Sequence, residues 1–291
     1  LKNKDVTILN VKGETKNDTV NSLFVDDKQY FNPIESISKE AKDYNLDIEI
    51  LQCDINDIPS KIRSNLIIFL SENIYVKDDF LNVCISLNNL FRKGGVFCGP
   101  VNTKTNSLTK NDDIEKLSKS YYSYNLDFGS SEISNITGEE FNYGSLIGSV
   151  VTGTAYNEIG YSPIISNRHS TADNRLFISK IAKRYDIIYA KSLSKCVLLT
   201  NKDFSIESLS DYYYQLGHQD GLFLLEKTLK DKHKELWHRF VESPEIFDNE
   251  MPRWLFGSCP DKDGEYLESL VLMKCKYQIG FYEGMLGKKL I

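Results

Sequence analysis

Five consecutive apolar residues, Leu66-Ile67-Ile68-Phe69-Leu70, stop at Ser71 with polar sequence on either side. A strand with one wet face alternates apolar and polar residues. An unbroken run of this length predicts a central strand buried on both faces, in a sheet covered by helices. The sequence around it agrees. Residues 6–11 and 48–52 read as strands, and 22–25 reads as another ending in Asp26-Asp27. Pro33 opens a helix through Tyr44, because Pro is tolerated in a first turn and Ile34, Ile37 and Ala41 recur at helical spacing. This alternation predicts an α/β fold.

Further along, residues 78–91 read as a helix, Gly94-Gly95 as its stop and 96–101 as a strand. Residues 102–113 are polar and read as a loop. In the Gly-, Ser-, Tyr- and Asn-rich stretch 121–160 the clearest strand is 146–152, followed by a helix over 171–184 and a strand over 187–190. Beyond about Ser205 the pattern is helical, and it contains one internal echo. Tyr214-Gln215-Leu216-Gly217-His218-Gln219-Asp220-Gly221 is matched by Tyr277-Gln278-Ile279-Gly280-Phe281-Tyr282-Glu283-Gly284. Two glycines four apart share a helical face and permit close backbone approach, so the echo predicts paired packing helices.

The chain has 291 residues, 41% of them hydrophobic and 26% charged, enough to bury one large or two small domains. Its net charge of -6 provides no basic field for tight, non-specific nucleic-acid binding. No apolar run approaches the roughly 18 residues needed to cross a bilayer, and Leu1-Lys2-Asn3-Lys4-Asp5 lacks the apolar core of a signal peptide. The expected compartment is cytoplasmic. The cysteines, including Cys259, are widely spread without a Cys-x-x-Cys pair, which fits reduced thiols better than disulfides or a zinc site. The sequons at Asn17 and Asn135 are discounted accordingly. His233 and His238 are five apart, which does not align two ligands on a helix.

In open α/β sheets, ligands bind where the carboxyl ends of strands open onto a crevice. Two acidic strand ends are candidates. They are Phe24-Val25-Asp26-Asp27 and Phe69-Leu70-Ser71-Glu72-Asn73-Ile74-Tyr75, the latter followed by Asp78-Asp79. In order and spacing these resemble glycosyltransferase family 2, with Ile48-Glu49-Ile50-Leu51-Gln52-Cys53-Asp54 similar to the strand between them. The resemblance covers roughly residues 5 to 225. It implies a GT-A fold: a Rossmann-like, nucleotide-binding mixed sheet flanked by helices, with a C-terminal helical extension. The expected division is 1–204 for the GT-A domain, with a nucleotide-sugar half over 1–101 and an acceptor half over 102–204, and 205–291 for the helical region.

The same resemblance implies roles. Asp26, Asp27 and Asp54 fall at the nucleotide, and Glu72, followed by Asn73, falls on the metal-liganding acidic position. A divalent cation, Mn2+ or Mg2+, held there would bridge the donor phosphates. Ser71 replaces the usual second acid. A later segment, Gly160-Tyr161-Ser162-Pro163 and then Thr171-Ala172-Asp173-Asn174-Arg175-Leu176, resembles the stretch that carries the family's catalytic base, with Asp173 on the base position and Ala172 in place of a Glu. Inverting transfer needs such a carboxylate to take the proton of the acceptor hydroxyl. Thr171 or Asp173 also serves as an ordinary helix cap, and both readings stay open. Arg168 and His169 precede this helix and are candidates to contact a phosphate or the acceptor.

The expected activity is transfer of a sugar from a nucleotide-diphosphate donor, most simply a UDP-sugar, to an acceptor hydroxyl with inversion. The acceptor is open among glycan, lipid, protein and modified base. Two alternatives remain: a catalytically silent GT-A-like binding or assembly domain, and a nucleotidyltransferase. The latter usually has a Gly-rich basic loop, for which Lys12-Gly13-Glu14 is a poor substitute.

Overall fold

The computed structural model describes residues 4–11, 22–25, 28–53, 58–71, 73–105, 126–141, 146, 148–161, 177–199, 264–286 and scattered positions between 210 and 221. Among them the strands are β1 (Lys4–Val11), β2 (Ser22–Val25), β3 (Lys28–Phe31), β4 (Ile48–Cys53), β5 (Ser64–Ser71) and β6 (Ile74–Val76). These are followed by β7 (Gly94–Cys98), β8 (Val101–Thr105), β9 (Ile133–Ile136), β10 (Val150–Thr152), β11 (Asp186–Ala190) and β12 (Lys195–Leu199). The helices that matter here are α1 (Pro33–Asp43), α2 (Phe80–Leu90), Gly153–Ile159 and Gly264–Leu286. No described helix is long and apolar enough to cross a membrane.

The strands form two mixed sheets. The first has the order β4-β1-β5-β10-β7-β11-β9. In it β4, β1, β5, β7 and β11 run one way, and β10 and β9 run against them. The apolar run Leu66–Leu70 lies in β5, between β1 and β10, at 2% exposure or less, so its pattern reported its position correctly.

The second sheet has the order β2-β3-β6-β12-β8 and was not foreseen. Lys104 on β8 donates from Nζ to the Phe24 carbonyl of β2, so its two edge strands meet and the sheet curls back on itself. Leu23, Tyr30, Tyr75, Cys196 and Leu198 fill its core. There the Asn102 carboxamide donates to Tyr30 Oη (2.8 Å) and Ser194 Oγ (3.0 Å), which satisfies three polar groups at once. Each of β1, β5, β7 and β11 is followed along the chain by a strand of this sheet: β2, β6, β8 and β12. The second sheet therefore grows from the carboxyl ends of the first sheet's parallel strands.

Five expectations change. Residues 102–105, expected in a loop, lie in β8, and of the strand expected over 146–152 only Val150–Thr152 is strand. Residues 22–25 do form a strand, but it pairs antiparallel with β3 in the second sheet, from Val25↔Lys28 to Ser22↔Phe31. Gly94 and Gly95 lie inside β7 and do not end the preceding helix. A Cβ on Gly95 would fall 2.5 Å from Tyr185 Cβ, so the glycine admits a neighbouring segment. The strand expected over 96–101 is two strands, divided at Gly99 and Pro100, where the chain passes between sheets.

Helix α1 begins with Pro33 in its first turn, as expected, and the structure adds a cap in which Asn32 Oδ1 accepts from Ile34 N–H. Helix α2 begins differently. Asp79 stands at its N-cap without a side-chain bond, and the missing acceptors come from α1. Glu40 takes the Asn82 N–H at 3.0 Å and the Leu81 N–H at 3.3 Å. Glu40→Ala should therefore cost about 1–3 kcal/mol, measurable by urea denaturation. Burial raises the Glu40 pKa above its ordinary 4.5, the two amide bonds oppose this, and Asp79 and Asp78 add to the rise. A raised folded-state pKa stabilises below about pH 4.5, and this contribution is lost as pH rises through the folded value. The stability of the wild type relative to Glu40→Gln should grow on acidification just above pH 4.5. A flat difference there would contradict this assignment.

The chain divides into two compact units, the first within 1–200 and the second chiefly Asn201–Ile291. In the second, the internal echo is a helix pair. An added Cβ on Gly217 would lie 2.0 Å from the Tyr277 carbonyl oxygen, and one on Gly280 would lie 2.0 Å from that of Tyr214. Gly221 meets the Phe281 carbonyl at 2.2 Å and Gly284 meets that of His218 at 2.1 Å. Each contact is the image of another with the two copies exchanged. The helices therefore run parallel about a pseudo-two-fold axis, as in a symmetric dimer folded into one chain. The Tyr214 hydroxyl donates to the buried Glu283 carboxylate across this interface.

Candidate functional site

The carboxyl ends of three parallel strands lie side by side, because Val11 pairs with both Cys53 and Ser71. From β1 the chain goes to β4 on one side and then returns to β5 on the other. This is a topological switch point, the place where an open α/β sheet leaves a crevice for a ligand. One residue earlier, Asn10 pairs with Gln52 and Leu70. Its Nδ2 donates to Gln52 Oε1 at 3.1 Å, joining buried Asn10 to exposed Gln52 at the edge of that crevice. Both residues interrupt apolar strands, which was the signal available to find them.

At the end of β5, Ser71 Oγ donates to Asn73 Oδ1 at 2.6 Å, and the Asn73 carbonyl accepts from Leu198 N–H at 2.9 Å. The motif is thereby tied to the second sheet. Of the expected site residues, Asn73 is described; Asp26, Asp27, Asp54, Glu72, Arg168 and Asp173 lie outside the described residues, as does His169. The flanks of several are informative. Asp26 and Asp27 connect the paired residues Val25 and Lys28 of the second sheet, whereas Asp54 directly follows β4 of the first. Tyr161 and Phe177, on either side of 162–176, are in edge-on ring contact at 5.2 Å. Phe69 of β5 packs on Tyr161 at 6.2 Å, so both ends of the segment that holds Arg168 and Asp173 are anchored together against β5.

A further charged group belongs to this end of the sheet. Lys195, the first residue of β12, is 1% exposed, and its Nζ lies 3.3 Å from Ser149 Oγ. Burial brings its pKa down to about 8, against an opposing contribution from Cys98. The Cys98 thiol is pushed up to about 12 by burial. The local sequence Ser194-Lys195-Cys196 gives no hint of this, since burial here is a tertiary effect.

A divalent cation of the Mg2+ or Mn2+ kind prefers carboxylate oxygens. The described part of the motif offers one neutral hydroxyl and one carboxamide, bonded to each other, and among the described residues no three His, Cys, Asp or Glu cluster as a metal site. The motif's carboxylate, Glu72, lies outside the described residues. His218 belongs to the helix pair of the second unit, where burial lowers its pKa and Glu283 opposes the change.

No family model matches the sequence, and no curated protein matches it. Among solved structures, residues 1–349 of S. aureus TarS align over 98% of this chain and 92% of that one, at 12% identity and a TM-score of 0.40. The same segment in complex with UDP-GlcNAc gives 9% and 0.39, with the same coverage. Its complex with UDP gives 11% and 0.36, over 88% of this chain and 79% of that one. Likenesses this distant assign neither an activity nor a site.

Proposed function

We propose that this chain is a GT-A-type glycosyltransferase that moves a sugar from a nucleotide-diphosphate donor to an acceptor hydroxyl. The observation that carries the reading is the switch point at β1, where the ends of β4, β1 and β5 stand in register and lead into Asp54 and Ser71-Glu72-Asn73. Strand order and residue content thus favour the same crevice. The nucleotide contact is proposed chiefly for Asp54, which follows a strand of the first sheet. Asp26 and Asp27 join a hairpin of the second sheet and become secondary candidates.

In the proposed reaction the acceptor oxygen attacks the anomeric carbon and its proton passes to the Asp173 carboxylate. The bond between that carbon and the diphosphate oxygen breaks, and the nucleoside diphosphate leaves with the electron pair. Arg168 is proposed to contact phosphate or acceptor.

The ligands of the TarS complexes, UDP and UDP-GlcNAc, name the first compounds to test. Calorimetry with these and a panel of other nucleotide sugars should show saturable binding. Asp54→Ala should weaken UDP by about tenfold, the loss of about 1.4 kcal/mol. Asp26→Ala should weaken it less. If no nucleotide sugar binds, the proposal fails and the silent assembly domain replaces it.

A further inference from the structure

We propose that the side-chain amides of Asn10 and Gln52 read the base of the bound nucleotide and select uracil over cytosine. The inference rests on the glycosyltransferase reading and assigns base recognition within the same crevice. Position, unused hydrogen-bonding groups and an apolar neighbour lead to it.

One residue before the strand ends, the row across the sheet is Gln52 on β4, Asn10 on β1 and Leu70 on β5. The amide pair therefore stands just behind the strand ends that lead into Asp54 and Ser71-Glu72-Asn73, beside those acids and not in place of them.

Asn10 is 6% exposed, and a carboxamide buried to that extent is costly unless its polar atoms are bonded. Its Nδ2 donates to Gln52 Oε1, which leaves Asn10 Oδ1 and Gln52 Nε2 without a hydrogen-bond partner among the described residues. The described side-chain atoms that are sealed from solvent and unbonded are Thr7 Oγ1 and Ser36 Oγ, so Asn10 Oδ1 is open to an incoming group. The pair thus offers an acceptor on β1 and a donor on β4. Ile50, two positions before Gln52 on the same strand face, is 39% exposed. An apolar surface beside a few placed polar groups suits a planar base, which has apolar faces and a polar edge.

The order of the two groups favours one pyrimidine. With the diphosphate at the end of β5 and the base toward β4, Asn10 lies nearer the ribose than Gln52. On a pyrimidine, N3 likewise lies nearer the ribose than the substituent on C4. Uracil then gives its N3–H to Asn10 Oδ1 and takes a bond from Gln52 Nε2 at O4. Cytosine would set its N3 lone pair against Oδ1 and its amino group against Nε2, leaving both protein groups unmatched.

The test is calorimetry of UDP and CDP binding to the full chain. The wild type should bind UDP at least about fivefold tighter than CDP, since the mismatch forfeits hydrogen bonds that the site has desolvated. Gln52→Glu keeps an oxygen for the Asn10 Nδ2 bond and removes the donor offered to O4, so it should lower the UDP-to-CDP preference by about threefold or more. Gln52 is exposed and the change adds no bulk, so the variant should fold. Any effect of the added charge on the diphosphate is common to both ligands and cancels in the ratio. A smaller wild-type preference, a preference for CDP, or a smaller change in Gln52→Glu overturns the assignment and leaves the glycosyltransferase reading in place. Absence of binding by both diphosphates sinks the functional reading and this inference together.

Discussion

Asp173→Asn is expected to slow sugar transfer by about 10²–10⁴-fold while leaving donor affinity and stability unchanged. The substitution separates the two readings of this residue. Asn caps a helix about as well as Asp, so a purely structural Asp173 would tolerate the change. A carboxamide cannot take a proton from the acceptor hydroxyl, so a catalytic Asp173 would not. The support is its place in a segment whose flanks, Tyr161 and Phe177, meet beside Phe69 of β5. Single-turnover rates with a donor that binds measure the effect directly. A rate within about threefold of wild type would remove Asp173 from the chemistry.

The largest stability effect should come from a residue that the sequence makes look unimportant. A Cβ on Gly153, at the start of helix Gly153–Ile159, would lie 1.7 Å from the Ser64 carbonyl oxygen at the beginning of β5. The obstacle is backbone on both sides, so no side-chain rotation relieves it. Gly153→Ala should cost about 3 kcal/mol or more, read as a lower urea midpoint at unchanged slope. Gly129 is the control. Its φ is +61° but nothing lies within 4 Å of its added Cβ, so Gly129→Ala should cost only the strain of that backbone region, about 1–2 kcal/mol. Equal losses at the two positions would contradict the close approach of the helix to β5.

What could be read in the sequence followed from how local each signal was. The unbroken run of β5, the Asn32-Pro33 start of α1 and the repeated glycines of the helix pair each carry their cause within a few residues. The second sheet carries its cause elsewhere. Its strands are three to five residues long, and in β3 only Tyr30 is buried, which gives no period to recognise. Lys28–Phe31 therefore carries no sequence signal of its own, and it pairs with β2 in the second sheet on the far side of Asp26-Asp27 in the chain. Helix α1, after the hairpin, is the one that leads into β4 beside β1.

Within the site, the motif after β5 was legible as a position and not as a chemistry. Ser71-Glu72-Asn73 stands where a family resemblance puts it, but the bond between Ser71 and Asn73 depends on local geometry that no spacing rule supplies. The burial of Lys195 and the cap that Glu40 provides for α2 are still less local, since each joins residues more than forty positions apart. Polar groups buried by distant partners are where reading along the chain has least purchase.

The central claim is that the crevice at the carboxyl ends of β4, β1 and β5 holds a nucleotide diphosphate. A crystal structure of the full chain soaked with UDP tests it most directly. Density for the base beside the end of β4 at Cys53, with the diphosphate running past Ser71 and Asn73, is the predicted result. UDP bound elsewhere, for instance against the β2–β3 hairpin or at the amino ends of these strands, would contradict the account.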